Sequence, residues 1–118
     1  MNASKSKRLK ADGRFWLTLD GRNFLGRGRV ELLQRIRETG SISKAAKAMK
    51  MSYKAAWDAV DAMNTAWGSV LVESGPSGSR LTDEAERLIG AFQEIEGQHH
   101  VCMQALSEYL SSHTPGHR

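Results

Sequence analysis

The sequence is poor in cysteine and proline: Cys102 stands alone and there are only two prolines among 118 residues. A single thiol cannot form an intrachain disulfide, which excludes the small secreted scaffolds that depend on such staples. No stretch approaches the roughly 20 apolar residues that a membrane-spanning helix requires. The basic N-terminus is not followed by the apolar segment of a signal peptide, so the cytoplasm is the expected compartment. The chain also has no glycine-rich phosphate loop, no H-E-x-x-H, no G-x-S-x-G and no grouped carboxylates in an expected pocket. Catalysis is therefore not expected, and no cofactor is implied.

What is present suits one domain, with 40% of residues apolar and 25% charged. We expect a basic flexible arm over residues 1–13, a folded domain over 14–111 and a flexible tail over 112–118. Met1 to Ala11 is too polar to contribute to a core. The net charge of +4 hides an asymmetry: 14 Lys and Arg face 4 Asp and Glu in residues 1–54, but 3 face 9 in residues 55–118. A cationic half attracts phosphates and gains from counterion release, which points toward nucleic acid. A solvated charged face with a basic tail accounts for the same numbers.

Along the chain, Phe15, Leu17 and Leu19 alternate with Trp16 and Thr18, the period of a short strand over Arg14 to Asp20. Gly21, Arg22 and Asn23 read as a turn. Leu32, Leu33 and Ile36 then mark one face of a helix from Arg27 to Thr39, with Leu25 added to that face, and Gly40 ends the helix. Ser41 can cap a second helix, Ile42 to Met49, and Ser52 a third, Tyr53 to Ala66. Ala56, Val60 and Met63 recur at spacings of four and three and should face the core. Val70 to Glu73 and Arg80 to Thr82 read as two strands around a loop from Gly75 to Ser79, a wing. A fourth helix follows, capped by Thr82 or Asp83, with a stripe of Leu88, Ile89, Phe92 and Ile95 that continues through Val101, Leu106 and Leu110. This stripe is longer than one small core needs, which makes it a candidate dimer seam.

Two helices joined by the tight link Lys50-Met51-Ser52 form a helix-turn-helix, whose second helix enters the major groove of duplex DNA while the first braces it. The expected fold is mainly α with a small β wing, a winged helix-turn-helix with a long C-terminal helix used for dimerisation.

The segment S-I-S-K-A-A-K-A-M-K-M-S-Y-K-A-A-W-D-A-V-D-A-M-N, Ser41 to Asn64, resembles the N-terminal domain of the ModE molybdate-dependent transcriptional regulators, above all in S-Y-K-A-A-W-D-A and M-N. Leu32-Leu33, Leu71-Val72-Glu73, Leu81-Thr82 and Arg87-Leu88-Ile89 extend the resemblance over about Phe24 to Ile89. The helix-turn-helix is similar, more distantly, to that of LysR-type regulators. The resemblance implies a winged helix-turn-helix, homodimerisation through terminal helices and control of genes for molybdenum uptake or use. Full-length members of the family carry C-terminal molybdate-binding domains. We expect none in this chain, so that a molybdate-sensing or other regulatory signal would come from a separate partner. Ala85 also departs from the related L-T-x-x-G pattern, in which glycine is expected.

The candidate DNA-binding residues are Ser41, Ser43, Lys44, Ser52, Tyr53, Lys54, Trp57, Asp58 and Arg80. Tyr53 and Lys54 open the third helix, whose first turn reaches deepest into the groove. Trp57 either packs on a thymine methyl or donates to a phosphate, or else closes the core against the first helix. Asp58 either accepts from cytosine or pairs with Lys54 at i, i+4. The serines can donate to phosphates, although capping accounts for Ser41 and Ser52 without DNA. Arg80 flanks the wing loop, where it either reaches a phosphate or the minor groove or serves as an ordinary surface residue. Lys5, Lys7, Arg8 and Lys10 add sequence-independent affinity. His99, His100 and Cys102 carry metal-ligating chemistry, but adjacent histidines on a helix point about 100° apart, which disfavours one shared ion. An RNA-binding or protein-interaction winged helix is the alternative function.

Overall fold

A computed structural model describes residues 7–113, in two compact units: residues 16–92, and residues 7–15 together with 93–113. In the larger unit, β1 (Leu17–Leu19) pairs antiparallel with β2 (Arg22–Leu25). The expected strand is thus shorter, and the segment read as a turn is mostly a second strand. The turn itself is Asp20-Gly21, with φ of 51° and 80°. Positive φ at both central residues is the hairpin geometry that Asp-Gly favours. Leu25 is fully buried, but it belongs to β2 and not to the following helix.

The helix α1 (Arg27–Thr39) buries Val30, Leu32, Leu33 and Ile36. Each large aliphatic side chain withdrawn in this way contributes about 1.5 to 3 kcal/mol. Gly40, at φ 70°, returns its N–H to the Ile36 carbonyl and stops the helix. Next come α2 (Ile42–Ala48), whose buried Ala45 and Ala46 allow close helix contact, and α3 (Tyr53–Trp67), which buries Ala56, Val60 and Met63 as its spacing requires. Gly68, at φ 86°, closes α3.

The wing is tighter than its glycines imply. β3 (Val72–Gly75) and β4 (Gly78–Leu81) pair in register around Pro76-Ser77, so Gly75 and Gly78 lie opposite each other and most of the expected loop is strand. Ser79 N–H donates to the Gly40 carbonyl at 2.9 Å, fastening the wing to the end of α1. Thr82 caps α4 (Asp83–Ser111), accepting from Ala85 N–H at 3.4 Å. Ala85, Ile89 and Phe92 complete the core of the larger unit, and Ala85 is fully buried where the related pattern has glycine.

In the smaller unit, the strand-free stretch 7–15 meets the last turns of α4. Ala11 N–H donates to Ser107 Oγ at 2.9 Å, and that hydroxyl is placed to donate to the Ala11 carbonyl at 3.2 Å. The Phe15 and His99 rings lie 5.2 Å apart. Residues 1–6 of the expected arm, Lys5 among them, and residues 114–118 of the expected tail lie outside the described residues.

Candidate nucleic-acid interface

The two serines placed at helix starts both act as caps. Ser41 Oγ accepts from Lys44 N–H at 3.1 Å, and Ser52 Oγ accepts from Ala55 N–H at 3.0 Å. Each satisfies an amide that has no partner within its helix. Between the helices, Lys50 takes φ 57° and Met51 N–H donates to the Ala46 carbonyl at 3.0 Å, which turns the chain sharply from α2 into α3.

With Ala56, Val60 and Met63 locked inward, α3 presents Tyr53, Lys54, Trp57 and Asp58 outward. Tyr53 is 54% exposed and Trp57 38%, so the indole does not close the core. The four side chains form two i, i+4 pairs side by side. Trp57 Nε1 donates to the Tyr53 hydroxyl at 2.6 Å, and Lys54 Nζ donates to Asp58 Oδ2 at 2.8 Å. That hydrogen bond, with the carboxylate charge behind it, raises the Lys54 pKa above its ordinary value. The ammonium stays charged throughout the neutral range.

Ser43 and Lys44 lie exposed on α2, and so do Lys47 and, in the link, Lys50. Among the described residues, these three lysines have no carboxylate within ion-pair distance, so their charge is available to an outside anion. Lys47 and Lys50 are not among the candidate residues that the sequence pattern gives. The signal that finds them is the recurrence of lysine at positions 44, 47, 50 and 54, three or four apart through the turn. Arg80 sits within β4, directly opposite Glu73, and its Nε donates to that carboxylate at 2.9 Å. Its partner is thus a cross-strand carboxylate, in a pair that stays exposed.

Two residues that support this surface also escaped notice. Asn64 Oδ1 accepts from Leu71 N–H at 2.9 Å and from Val72 N–H at 3.3 Å, tying α3 to the start of the wing. Gly78 passes so close to α1 that an added Cβ would stand 2.7 Å from the Gly40 carbonyl oxygen. Asn64 falls within the matched M-N dipeptide, whereas nothing in the sequence points to Gly78. His99 packs against Phe15, and His100 and Cys102 are exposed on α4. Among the described residues, no three metal-capable side chains gather at one point, and no helix is long and apolar enough to cross a membrane.

A capped helix-turn-helix with an exposed second helix, followed by a two-stranded wing fastened to the first helix, defines a winged helix-turn-helix domain of the regulatory kind. The family model described as bacterial regulatory helix-turn-helix protein, lysR family, matches residues 28–86, half of the chain, and the chain belongs to that family. This is a family of regulators and not of enzymes. Curated relatives include the molybdenum transport protein ModE of Azotobacter vinelandii, 38% identical over 75% of this chain and 34% of its own length. The DNA-binding transcriptional dual regulator ModE of Escherichia coli K12 is 38% identical over 69% of this chain and 33% of its length. The molybdenum-pterin-binding protein MopB of Rhodobacter capsulatus is 46% identical over 61% of this chain and 28% of its own length. The chain thus spans about a third of the length of the curated relatives it matches. The fold is similar to that of the CbnR DNA-binding domain solved with DNA, with a TM-score of 0.58 over 69% of this chain and 97% of that one, at 20% identity. It is also similar to full-length LysG of Corynebacterium glutamicum, with a TM-score of 0.57 over 71% of this chain and 29% of that one, at 25% identity.

Proposed function

We propose that this protein is a sequence-specific DNA-binding transcriptional regulator of the ModE type, acting as a homodimer, with α3 in the major groove of its operator. The observation that carries the reading is the division of α3 into two faces. Ala56, Val60 and Met63 are buried, while Tyr53, Lys54, Trp57 and Asp58 face solvent beside the exposed cations of α2 and the link. In this arrangement Lys44, Lys47 and Lys50 meet phosphates and fix the register, and the α3 side chains meet base edges. Ser43 adds a hydroxyl donor on the same side. Arg80 reaches a phosphate if its pairing with Glu73 opens.

The ModE relatives suggest genes of molybdenum uptake or use as targets, with the molybdate signal entering from outside these 118 residues. Isothermal titration of the chain with molybdate should give no binding heat. A gel-shift panel with DNA from upstream of its own gene tests the central reading. The wild type should bind a discrete duplex, and Lys54→Ala and Trp57→Ala should weaken that complex. Binding indifferent to both substitutions would remove α3 from the interface. Quenching of the tryptophan fluorescence that Trp57→Phe abolishes, by duplex DNA but not by duplex or single-stranded RNA, separates this function from RNA recognition.

A further inference from the structure

The Lys54–Asp58 pair places a cationic donor 2.8 Å from an anionic acceptor, with side chains 85% and 66% exposed. α3 holds no other cation, and Asp61 is a second exposed acid, so the helix proposed to enter the groove carries one lysine against two aspartates. Such a helix gains no general attraction to phosphates. That attraction falls to Lys44, Lys47 and Lys50, leaving α3 to discriminate.

An acid on the reading face is repelled by every duplex alike. The repulsion is offset only where the groove offers a hydrogen-bond donor, which is how a negative element creates specificity. In the major groove the donors are the exocyclic amines of cytosine and adenine. Within a G·C pair, cytosine N4 and guanine O6 are hydrogen-bonded to each other and so lie about 2.9 Å apart. This matches the spacing between Lys54 Nζ and Asp58 Oδ2. Guanine also sets N7 beside O6, giving the ammonium two acceptors, whereas thymine offers O4 alone with a methyl group next to it.

The geometry points to Lys54 and Asp58 as one reading unit for a single G·C base pair, Lys54 donating to guanine O6 and N7 and Asp58 accepting from cytosine N4, an inference that rests on the groove-reading role proposed for α3. The ion pair need not be abandoned on binding, because the edge of the base pair repeats its donor and acceptor in complementary order. Opposite an A·T pair, Asp58 still finds a donor in adenine N6, but the ammonium meets thymine O4 alone, with the methyl group in place of a second acceptor.

Selection of binding sites from a pool of randomised duplexes tests this, with the wild type, Asp58→Asn and Asp58→Ala run in parallel. The wild type should enrich a motif with G·C fixed at one position. Asp58→Asn should shift that position alone toward A·T, because an amide pairs with adenine N6 and N7. Asp58→Ala should lose discrimination there by about 5- to 150-fold while binding unrelated duplex at least as tightly as the wild type. Both substitutions are on the solvent face, and matching far-UV circular dichroism spectra exclude unfolding as the cause. Identical motifs from all three proteins would overturn the reading unit while leaving the DNA-binding function standing. A wild type that enriches no motif would overturn both.

Discussion

Asn64 and Glu84 each tie one element to another, and each connection can be tested by a single substitution. The Asn64 carboxamide accepts from two wing amides and donates to the Val72 carbonyl at 3.3 Å. Asn64→Ala leaves those part-buried groups without their partner and should cost about 1 to 3 kcal/mol in urea unfolding. Glu84 accepts from Trp67 Nε1 at 2.8 Å and from Ser69 Oγ at 3.0 Å. The indole bond first, and the hydroxyl second, lower its pKa below the ordinary 4.5. A carboxylate depressed in this way contributes stability above its unfolded value, and that contribution is lost as pH falls through the folded value. Thermal melts should therefore show a smaller drop below pH 4.5 for Glu84→Gln than for the wild type. Equal drops would mean that these bonds do not survive in solution.

At the scale of elements, the connection between the wing and α1 is the feature most sensitive to substitution. Gly78 has φ 119°, and a Cβ there would overlap the Gly40 carbonyl oxygen. Gly78→Ala should destabilise the fold by more than about 1 kcal/mol in chemical denaturation, whereas Gly75→Ala, which meets nothing within 4 Å, should cost less. The helices were legible in the sequence because their ends are written locally: Ser41 and Ser52 as caps and Gly40 as a left-handed stop. The apolar spacing of α3 likewise gave its buried face, and Lys54 and Asp58 are paired by their spacing alone. The strands were less legible. Arg22 and Asn23 are polar and exposed, so β2 shows no alternation, and its clearest sign was the Asp20-Gly21 turn itself. The wing register escaped because Gly75 and Gly78 resemble loop residues, and the contact that fastens the hairpin, Ser79 N–H to the Gly40 carbonyl, joins residues far apart in sequence. The Tyr53–Trp57 hydrogen bond was also out of reach, since it depends on the rotamers of both rings.

For the molecule as a whole, the later turns of α4 carry an exposed apolar stripe. Ile95, Val101, Leu106 and Tyr109 are between 42% and 65% exposed there, more large apolar surface than a solvated helix end needs. If a second copy supplies the cover, light scattering should give twice the chain mass, and Val101→Glu with Leu106→Glu should return it to the monomer without loss of helix content. A wild type that stays monomeric with and without DNA would rule out the dimer. Each of Lys44, Lys47 and Lys50, if it meets a phosphate, contributes about 0.9 to the slope of log affinity against log salt. Replacing any one of them by Ala should therefore flatten the slope by about that amount. The hydrogen bond from Ser79 to Gly40 has a consequence for the operator. On the groove-reading role proposed for α3, and with Arg80 released from Glu73 to a phosphate, a hairpin fastened to the same frame as that helix would act as a fixed caliper. An operator with one base pair inserted between the bases read by α3 and the backbone beside the wing should be refused, however well either part fits separately.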